Sequence, residues 1–192
     1  MEQTDSNKKY EAAIFTIPNL LSFLRICLIP VIAWLYCVKQ NSILAGGVLI
    51  LSGITDVVDG YIARHFHMVS NLGKVLDPIA DKLTQGAMLI CLLFRFPWVI
   101  GPIILMIVKE IFMSVTGILV IRRTGIVLGA EWHGKAATVL LYGMILLHLF
   151  WYDIPAVVST LSIAACTLMI LISFFLYGIR NINALTERGH QL

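Results

Sequence analysis

The chain has 192 residues, of which 59% are hydrophobic and 13% are charged, and its mean hydropathy is +0.89. This composition excludes a soluble domain of ordinary type and indicates a protein of the bilayer. The 14 Lys and Arg residues against 11 Asp and Glu leave a positive balance that is too weak and scattered for nucleic-acid binding.

Six segments of the chain are apolar and long enough to cross a membrane, because a spanning α-helix needs roughly 20 mostly apolar residues. In chain order, the predicted spans cover about residues 20–38, 43–64, 77–94, 98–121, 134–152 and 155–178. The sequence therefore predicts an all-α integral membrane protein with six transmembrane helices, in which residues 1–192 form one domain.

The two ends of the chain are more polar than the spans. Residues 1–18 are predicted to lie on the cytoplasmic side, where residues 10–18 form either a short amphipathic helix in the membrane interface or a disordered tail. No cleavable signal peptide is visible, so the first span is expected to remain as an anchor. Residues 179–192 are predicted to be a cytoplasmic tail.

The distribution of Lys and Arg predicts the direction in which the helices cross the membrane, since short loops rich in these residues stay in the cytoplasm. With the N-terminus inside, Lys39 and Arg95 face outward. The cations on or near the cytoplasmic side are then Lys8, Lys9, Arg64, Lys74, Arg122, Arg123, Lys135, Arg180 and Arg188. We therefore expect a multi-pass protein of the cytoplasmic (inner) membrane with both termini in the cytoplasm.

Four carboxylates lie in or beside the second and third predicted spans. Asp56 and Asp59 are three residues apart, and Asp77 and Asp81 are four apart, so each pair projects from one face of its helix. An Asp at the centre of a membrane helix costs roughly 2.5 to 3.5 kcal/mol, and clustered carboxylates repel one another unless cations intervene. Hard oxygen ligands suit Mg²⁺ or Mn²⁺, and bridging carboxylates can hold two such ions.

Residues around the loop between these helices are suited to binding a phosphate. Gly60 and Gly73 allow a ligand or a backbone to approach closely, and Arg64 can clamp a phosphate or neutralise a carboxylate. Two other interpretations remain. The acids could form buried or interfacial salt bridges with Arg64, Lys74 and Lys82, or they could mark the ion pathway of a transporter. A transporter predicts acids spread through the membrane or repeated in both halves, whereas here they gather between two helices.

The stretch from Asp56 to Asp81 reads D-x-x-D-G-x-x-A-R-x8-G-x3-D-x3-D, which resembles the signature of the CDP-alcohol phosphotransferase family at all eight defining positions. The resemblance implies a six-helix membrane fold, usually a homodimer, with a polar cavity open to the cytoplasm. It also implies a site for Mg²⁺ or Mn²⁺, a CDP-activated lipid as donor and an alcohol as acceptor.

The resemblance implies a role for each matching residue. Asp56, Asp59 and Asp77 would ligate the metals. Asp81 would complete the metal site and act as the catalytic base. The residues that would hold the CMP part of the donor are Asp56, Gly60, Ala63, Arg64 and Gly73.

Weaker patterns bear on the acceptor. Residues 17–21 with Arg25 resemble the start of the first helix in phosphatidylglycerophosphate synthases and related cardiolipin synthases, which favours CDP-diacylglycerol as donor and glycerol 3-phosphate as acceptor. Residues 134–138 resemble cardiolipin synthases, whose acceptor is phosphatidylglycerol. Further alternatives are an inositol compound or serine as the acceptor, and CDP-choline as the donor. The cations predicted to bind an acceptor phosphate, or else to contact headgroups, are Lys109, Lys135, Arg122 and Arg123.

Overall fold

A computed structural model describes residues 17–65, 72–125, 129 and 131–186. Within these ranges the chain forms six long α-helices and one 3-10 turn, with no β-strand. The helices are α1 (Ile17–Cys37), α2 (Ser42–His65), α3 (Gly73–Leu93), α4 (Ile100–Thr124), α5 (Trp132–Phe150) and α6 (Ala156–Thr186), with the 3-10 turn at Pro97–Val99. The prediction of an all-α fold is confirmed.

Four helices in the described part of the chain are long and apolar enough to cross a membrane. They comprise Asn19–Cys37, Pro97–Arg123, Trp132–Phe150 and Ala156–Thr186. Helix α2 contributes a shorter apolar stretch, Ser42–Val58. Helix α3 is not apolar enough to be a candidate span by composition, because charged residues such as Asp77, Asp81 and Lys82 interrupt it. The protein is therefore a multi-pass membrane protein, and its two least apolar long helices are those that carry the acids.

Two helix boundaries differ from the predicted spans. Helix α3 begins at Gly73, so Asp77 lies inside the helix and not at its first residue. Helix α6 continues to Thr186, and the first part of the predicted tail is helical. Most of the predicted interfacial helix at 10–18 lies outside the described residues.

Local chemistry explains where α4 ends. Arg122 and Arg123 occupy its last turn, where cations interact favourably with the helix dipole. Gly125 follows in the left-handed conformation, with φ of +68°, and its N–H bonds to the Ile121 carbonyl. Glycine tolerates this conformation without a steric penalty, so it terminates the helix cleanly.

The helices group into two compact units, with the boundary after Cys91. In the first unit α1 packs against α2, and buried apolar side chains on these helices include Ile32 and Leu49. In the second unit α6 packs against both α4 and α5. That the whole chain forms one domain stays a prediction.

A buried histidine joins α5 to α6 in the second unit. His148 Nδ1 lies 2.8 Å from the Met144 carbonyl oxygen, and its Nε2 lies 2.9 Å from the Ser159 hydroxyl. Because a carbonyl only accepts hydrogen bonds, Nδ1 carries the proton and the Ser159 hydroxyl donates to Nε2. This contact fixes the two helices close to their connection.

Candidate active site

Helices α2 and α3 carry the four aspartates. Asp56 lies in the C-terminal half of α2, and Asp77 and Asp81 lie one helical turn apart in the first half of α3. Their three side chains are each partly buried. Asp59 is a residue of α2, but its side chain lies outside the described part of the structure. The structure thus describes three of the four carboxylates that were predicted to lie in pairs on the two helices.

Acids of both helices lie near one another in the first unit. Asp77 and Asp81 of α3 are close enough to Asp56 of α2 for their negative charges to act on it. Among the described side chains, no three acids, histidines or cysteines converge closely enough to form a complete metal-binding group. The donor set of partly buried, mutually repelling carboxylate oxygens nevertheless fits a hard divalent cation.

Each described aspartate also has a partner from the protein. Arg25 forms an ion pair with Asp56, and the Ser22 hydroxyl donates to Asp77. The Gln85 side-chain amide donates to Asp81 Oδ2 over 2.9 Å. The ion pair to Asp56 therefore involves Arg25 of α1, a residue that the salt-bridge interpretation did not consider.

Two of these partners lie on one polar stripe of α1. Asn19, Ser22 and Arg25 are spaced three residues apart, and their exposed fractions are 4%, 0% and 3%. Residues at this spacing share a helix face. Sequence reasoning used Arg25 as a mark of the acceptor branch and missed Ser22 and Gln85 altogether. Three polar residues at regular spacing in an apolar span were the sequence signal that could have revealed the stripe.

The predicted nucleotide-binding residues flank the connection between α2 and α3. Gly60 lies in the last turns of α2, and Gly73 is the first residue of α3 and is buried. Ala63 and Arg64 belong to α2, but their side chains lie outside the described part. The backbone thus brings Gly60 and Gly73 to the same helix ends that carry the aspartates.

The four cations predicted to bind an acceptor phosphate all belong to the second unit. Lys109 on α4 is mostly buried, with 12% of its side chain exposed, and its Nζ lies 3.7 Å from Glu110 Oε1. Lys135 on α5, and Arg122 and Arg123 at the end of α4, are exposed. Lys109 is therefore the one of the four whose side chain is held inside the helical packing.

Lys109 is part of a cluster around an aromatic ring that sequence reasoning missed. Its Nζ lies 5.9 Å from the centre of the Tyr177 ring, and the Arg180 guanidinium lies 4.8 Å from the same centre. His133 packs edge-to-face on this ring, with 4.4 Å between the centroids. We call Lys109, Glu131, His133, Tyr177 and Arg180 the Tyr177 cluster.

Hydrogen bonds fix the Tyr177 cluster. Arg180 Nη1 donates to Glu131 Oε1 over 2.9 Å and to the Gly129 carbonyl over 2.7 Å. The Tyr177 hydroxyl accepts the Glu131 backbone N–H over 2.9 Å. Arg180 had been interpreted from the sequence only as a topology cation. The structure instead brings it onto the same ring as Lys109.

A glycine lets Tyr177 sit close to α5. A Cβ at Gly134 would meet the Tyr177 hydroxyl in a severe clash and would lie 3.0 Å from two of its ring carbons. Such a contact is shorter than van der Waals packing allows, so a side chain here would displace the ring. Gly134 is thus needed for the close packing of the Tyr177 cluster.

In its described part the chain is thus a helical multi-pass membrane protein with acids on two successive helices. The sequence model of the CDP-alcohol phosphatidyltransferase family matches residues 15–179, and the chain belongs to this family. Members of the family generally depend on a divalent metal.

Individual relatives agree with this membership. The chain is 37% identical over 153 residues to the CDP-diacylglycerol–glycerol-3-phosphate 3-phosphatidyltransferase of Bacillus subtilis, which covers 70% of this chain and 78% of the relative. It is 43% identical over 100 residues to the protein of the same name from Rickettsia bellii, covering 51% of this chain and 55% of the relative. The human cardiolipin synthase (CMP-forming) is 36% identical over 109 residues, 56% of this chain and 36% of the human protein. The matched region thus spans about half the length of the Rickettsia relative and less of the human one.

Proposed function

We propose that this protein transfers the phosphatidyl group of CDP-diacylglycerol to glycerol 3-phosphate, giving phosphatidylglycerophosphate and CMP. The observation that carries the proposal is that one face of α1 contacts acids of both helices within the family signature, since Arg25 pairs with Asp56 and Ser22 donates to Asp77. A lipid donor suits a site between membrane helices, because its acyl chains stay in the bilayer while the nucleotide binds at the helix ends.

Asp81 is the proposed catalytic base. It takes the proton from the acceptor hydroxyl as the hydroxyl oxygen attacks the lipid-linked phosphorus, and the bond from that phosphorus to the CMP oxygen breaks. Gln85 donates to Asp81 Oδ2, so this carboxylate is oriented by a side chain one helical turn further along α3. No covalent intermediate with the protein is needed.

The proposed metal ligands are Asp56, Asp59, Asp77 and Asp81, for two Mg²⁺ or Mn²⁺ ions. When bound, such ions supply charge neutralisation on the donor diphosphate and on the leaving CMP. Asp56, Gly60, Ala63, Arg64 and Gly73 are the proposed contacts of the CMP part of the donor. The helix ends that carry the two glycines support this assignment, since a glycine lets a phosphate approach the backbone.

The acceptor phosphate is proposed to bind the cations of the second unit. Among the predicted set of Lys109, Lys135, Arg122 and Arg123, burial of Lys109 beside Tyr177 favours it over the three exposed residues. Arg180 joins it on the ring of Tyr177, and its planar guanidinium can bind two phosphate oxygens at once. We propose Lys109 and Arg180 as the main phosphate contacts, with the exposed cations attracting the anion.

The membrane arrangement follows the charge asymmetry of the sequence. We propose that the protein lies in the cytoplasmic membrane with both termini in the cytoplasm, and that its polar cavity opens on that side. A homodimer is proposed from the family. This orientation gives the site access to the water-soluble acceptor and lets CMP leave into the cytoplasm.

Cardiolipin synthesis from CDP-diacylglycerol and phosphatidylglycerol is the second candidate. It is favoured by the human cardiolipin synthase relative and by residues 134–138. An acceptor panel separates the two: purified protein in detergent with CDP-diacylglycerol and Mg²⁺, followed by CMP release for each alcohol. We expect release with glycerol 3-phosphate. Release with phosphatidylglycerol instead would establish cardiolipin synthesis, and no release with any alcohol would contradict CDP-diacylglycerol as donor.

A further inference from the structure

Arg25 occupies an unusual place for a charged residue. It lies in the apolar helix α1, and its side chain is 3% exposed, whereas its partner Asp56 is 45% exposed. A buried guanidinium is costly unless an acid compensates it, and arginine cannot escape by losing its proton. The positive charge of Arg25 is therefore a permanent part of the aspartate cluster.

The same Asp56 carboxylate is a proposed metal ligand, so two kinds of cation compete for it. A guanidinium that contacts Asp56 takes up part of its negative charge, and it repels any divalent ion bound to the same group. The burial of Arg25 reduces the screening of its charge by salt and water, so this repulsion is stronger than between two exposed charges. Metal binding to the cluster must therefore overcome a positive charge already present.

We propose that Arg25 is a resident counter-cation that stabilises the aspartate cluster without metal and weakens metal binding until the donor diphosphate enters. This inference rests on the proposed function. The diphosphate brings negative charge that offsets the repulsion between Arg25 and the metal, and its oxygens can accept hydrogen bonds from a guanidinium. Metal retention is then coupled to donor binding, which keeps metal occupancy low in a site that holds no substrate.

Ser22 provides an internal contrast to Arg25. It lies one helical turn before Arg25 on the same buried stripe, and it donates to Asp77 without carrying a charge. Ser22 can thus orient a carboxylate but cannot repel a metal. If Arg25 acts through its charge, the two residues will have opposite effects on metal affinity when they are removed.

The test is Mn²⁺ binding by the purified full-length protein in detergent without donor, measured from the electron paramagnetic resonance of free Mn²⁺. We expect Arg25→Gln to bind Mn²⁺ on the order of tenfold more tightly than the unaltered protein, and Arg25→Lys to stay close to it. Ser22→Ala should bind equally or more weakly. Arg95→Gln, which removes an exposed cation that lies outside the first unit, should leave the affinity unchanged.

A second measurement addresses the coupling and the fold. Addition of CDP-diacylglycerol should reduce the difference in Mn²⁺ affinity between Arg25→Gln and the unaltered protein. In chelator, Arg25→Gln should unfold at a lower temperature, because Asp56 loses its counter-ion. Should Arg25→Gln fail to give a monodisperse helical protein, Arg25→Met removes the same charge while keeping an apolar stem.

Asp77→Asn separates failure of this inference from failure of the proposed function. Loss of Mn²⁺ binding in Asp77→Asn, together with unchanged or weaker binding in a folded neutral Arg25 variant, overturns the counter-cation role and leaves the metal site in place. Equal Mn²⁺ binding by Asp77→Asn and the unaltered protein overturns the metal site, and the inference with it. A purely structural role for Arg25 predicts weaker binding, so the sign of the change is decisive.

Discussion

The aspartate cluster in the first unit and the Tyr177 cluster in the second both place charges among apolar helices, but they balance these charges differently. In the first, Arg25 forms an ion pair with Asp56, and Asp77 and Asp81 lie near the same carboxylate. In the second, Arg180 is paired with Glu131. The first region brings three partly buried carboxylates together, and their hard oxygen atoms suit a divalent cation. The second holds its arginine in an ion pair and on an aromatic ring, so an incoming phosphate competes with a carboxylate.

The helices that carry the two regions also differ in hydropathy. Helices α4, α5 and α6 each contain a candidate membrane span, whereas α3 does not and α2 offers only a shorter apolar stretch. The acids that lower the hydropathy of α2 and α3 are the residues that match the family signature. The two helices of lowest hydropathy are therefore those that carry the proposed reaction site.

The largest effect is expected from removing the base in the first region. Asp81→Asn should lower CMP release by about a thousandfold, while binding of CDP-diacylglycerol stays largely intact, because the variant keeps the shape of the side chain. The measurement is turnover beside donor binding, with Asp153→Asn, an exposed acid between α5 and α6, as the matched control. Substantial residual turnover in Asp81→Asn would contradict the role of Asp81 as the base and weaken the distinction between the two regions.

A smaller effect, on the KM for the acceptor, is expected from a substitution in the second region. Arg180→Gln should raise the KM for glycerol 3-phosphate by about tenfold to a hundredfold, because a charge-assisted contact to phosphate is worth roughly 1.5 to 3 kcal/mol. The kcat should change less. Steady-state kinetics with Arg95→Gln as a charge-matched control would check this. A fall in kcat at constant KM would mean that the Tyr177 cluster serves the chemical step and not acceptor binding.

The smallest effect is expected from a comparison of two glycine substitutions within α5. Gly134→Ala should raise the KM for glycerol 3-phosphate by a few-fold, because the added methyl group displaces Tyr177 from beneath Lys109 and Arg180. Gly143→Ala is the control in the same helix, since a Cβ there meets no atom within 4 Å. Equal kinetics for the two variants would show that the position of Tyr177 does not matter to the acceptor.

Much of the fold and of the acidic site could be predicted because the relevant signals are local. Hydropathy located all six helices to within a few residues, and the spacing of Asp77 and Asp81 indicated a shared helix face. The exceptions are also local in origin: α3 begins at Gly73 and α6 runs to Thr186, since a helix continues beyond the apolar stretch that spans the membrane. Helix bounds thus differ from hydropathy bounds, because backbone hydrogen bonding continues where the apolar stretch has ended.

The partners of the charged residues could not be predicted in this way. Ser22 and Asp77 are 55 residues apart, and Arg180 and Glu131 are 49 apart. Lys109 and Arg180 share a ring with no sequence spacing that would suggest it. By itself, the sequence determined the membrane helices, the acid pairs and the family, because helical periodicity, hydropathy and the signature are properties of short stretches. Only the tertiary structure decided which cation faces which acid, because that depends on how distant helix faces pack.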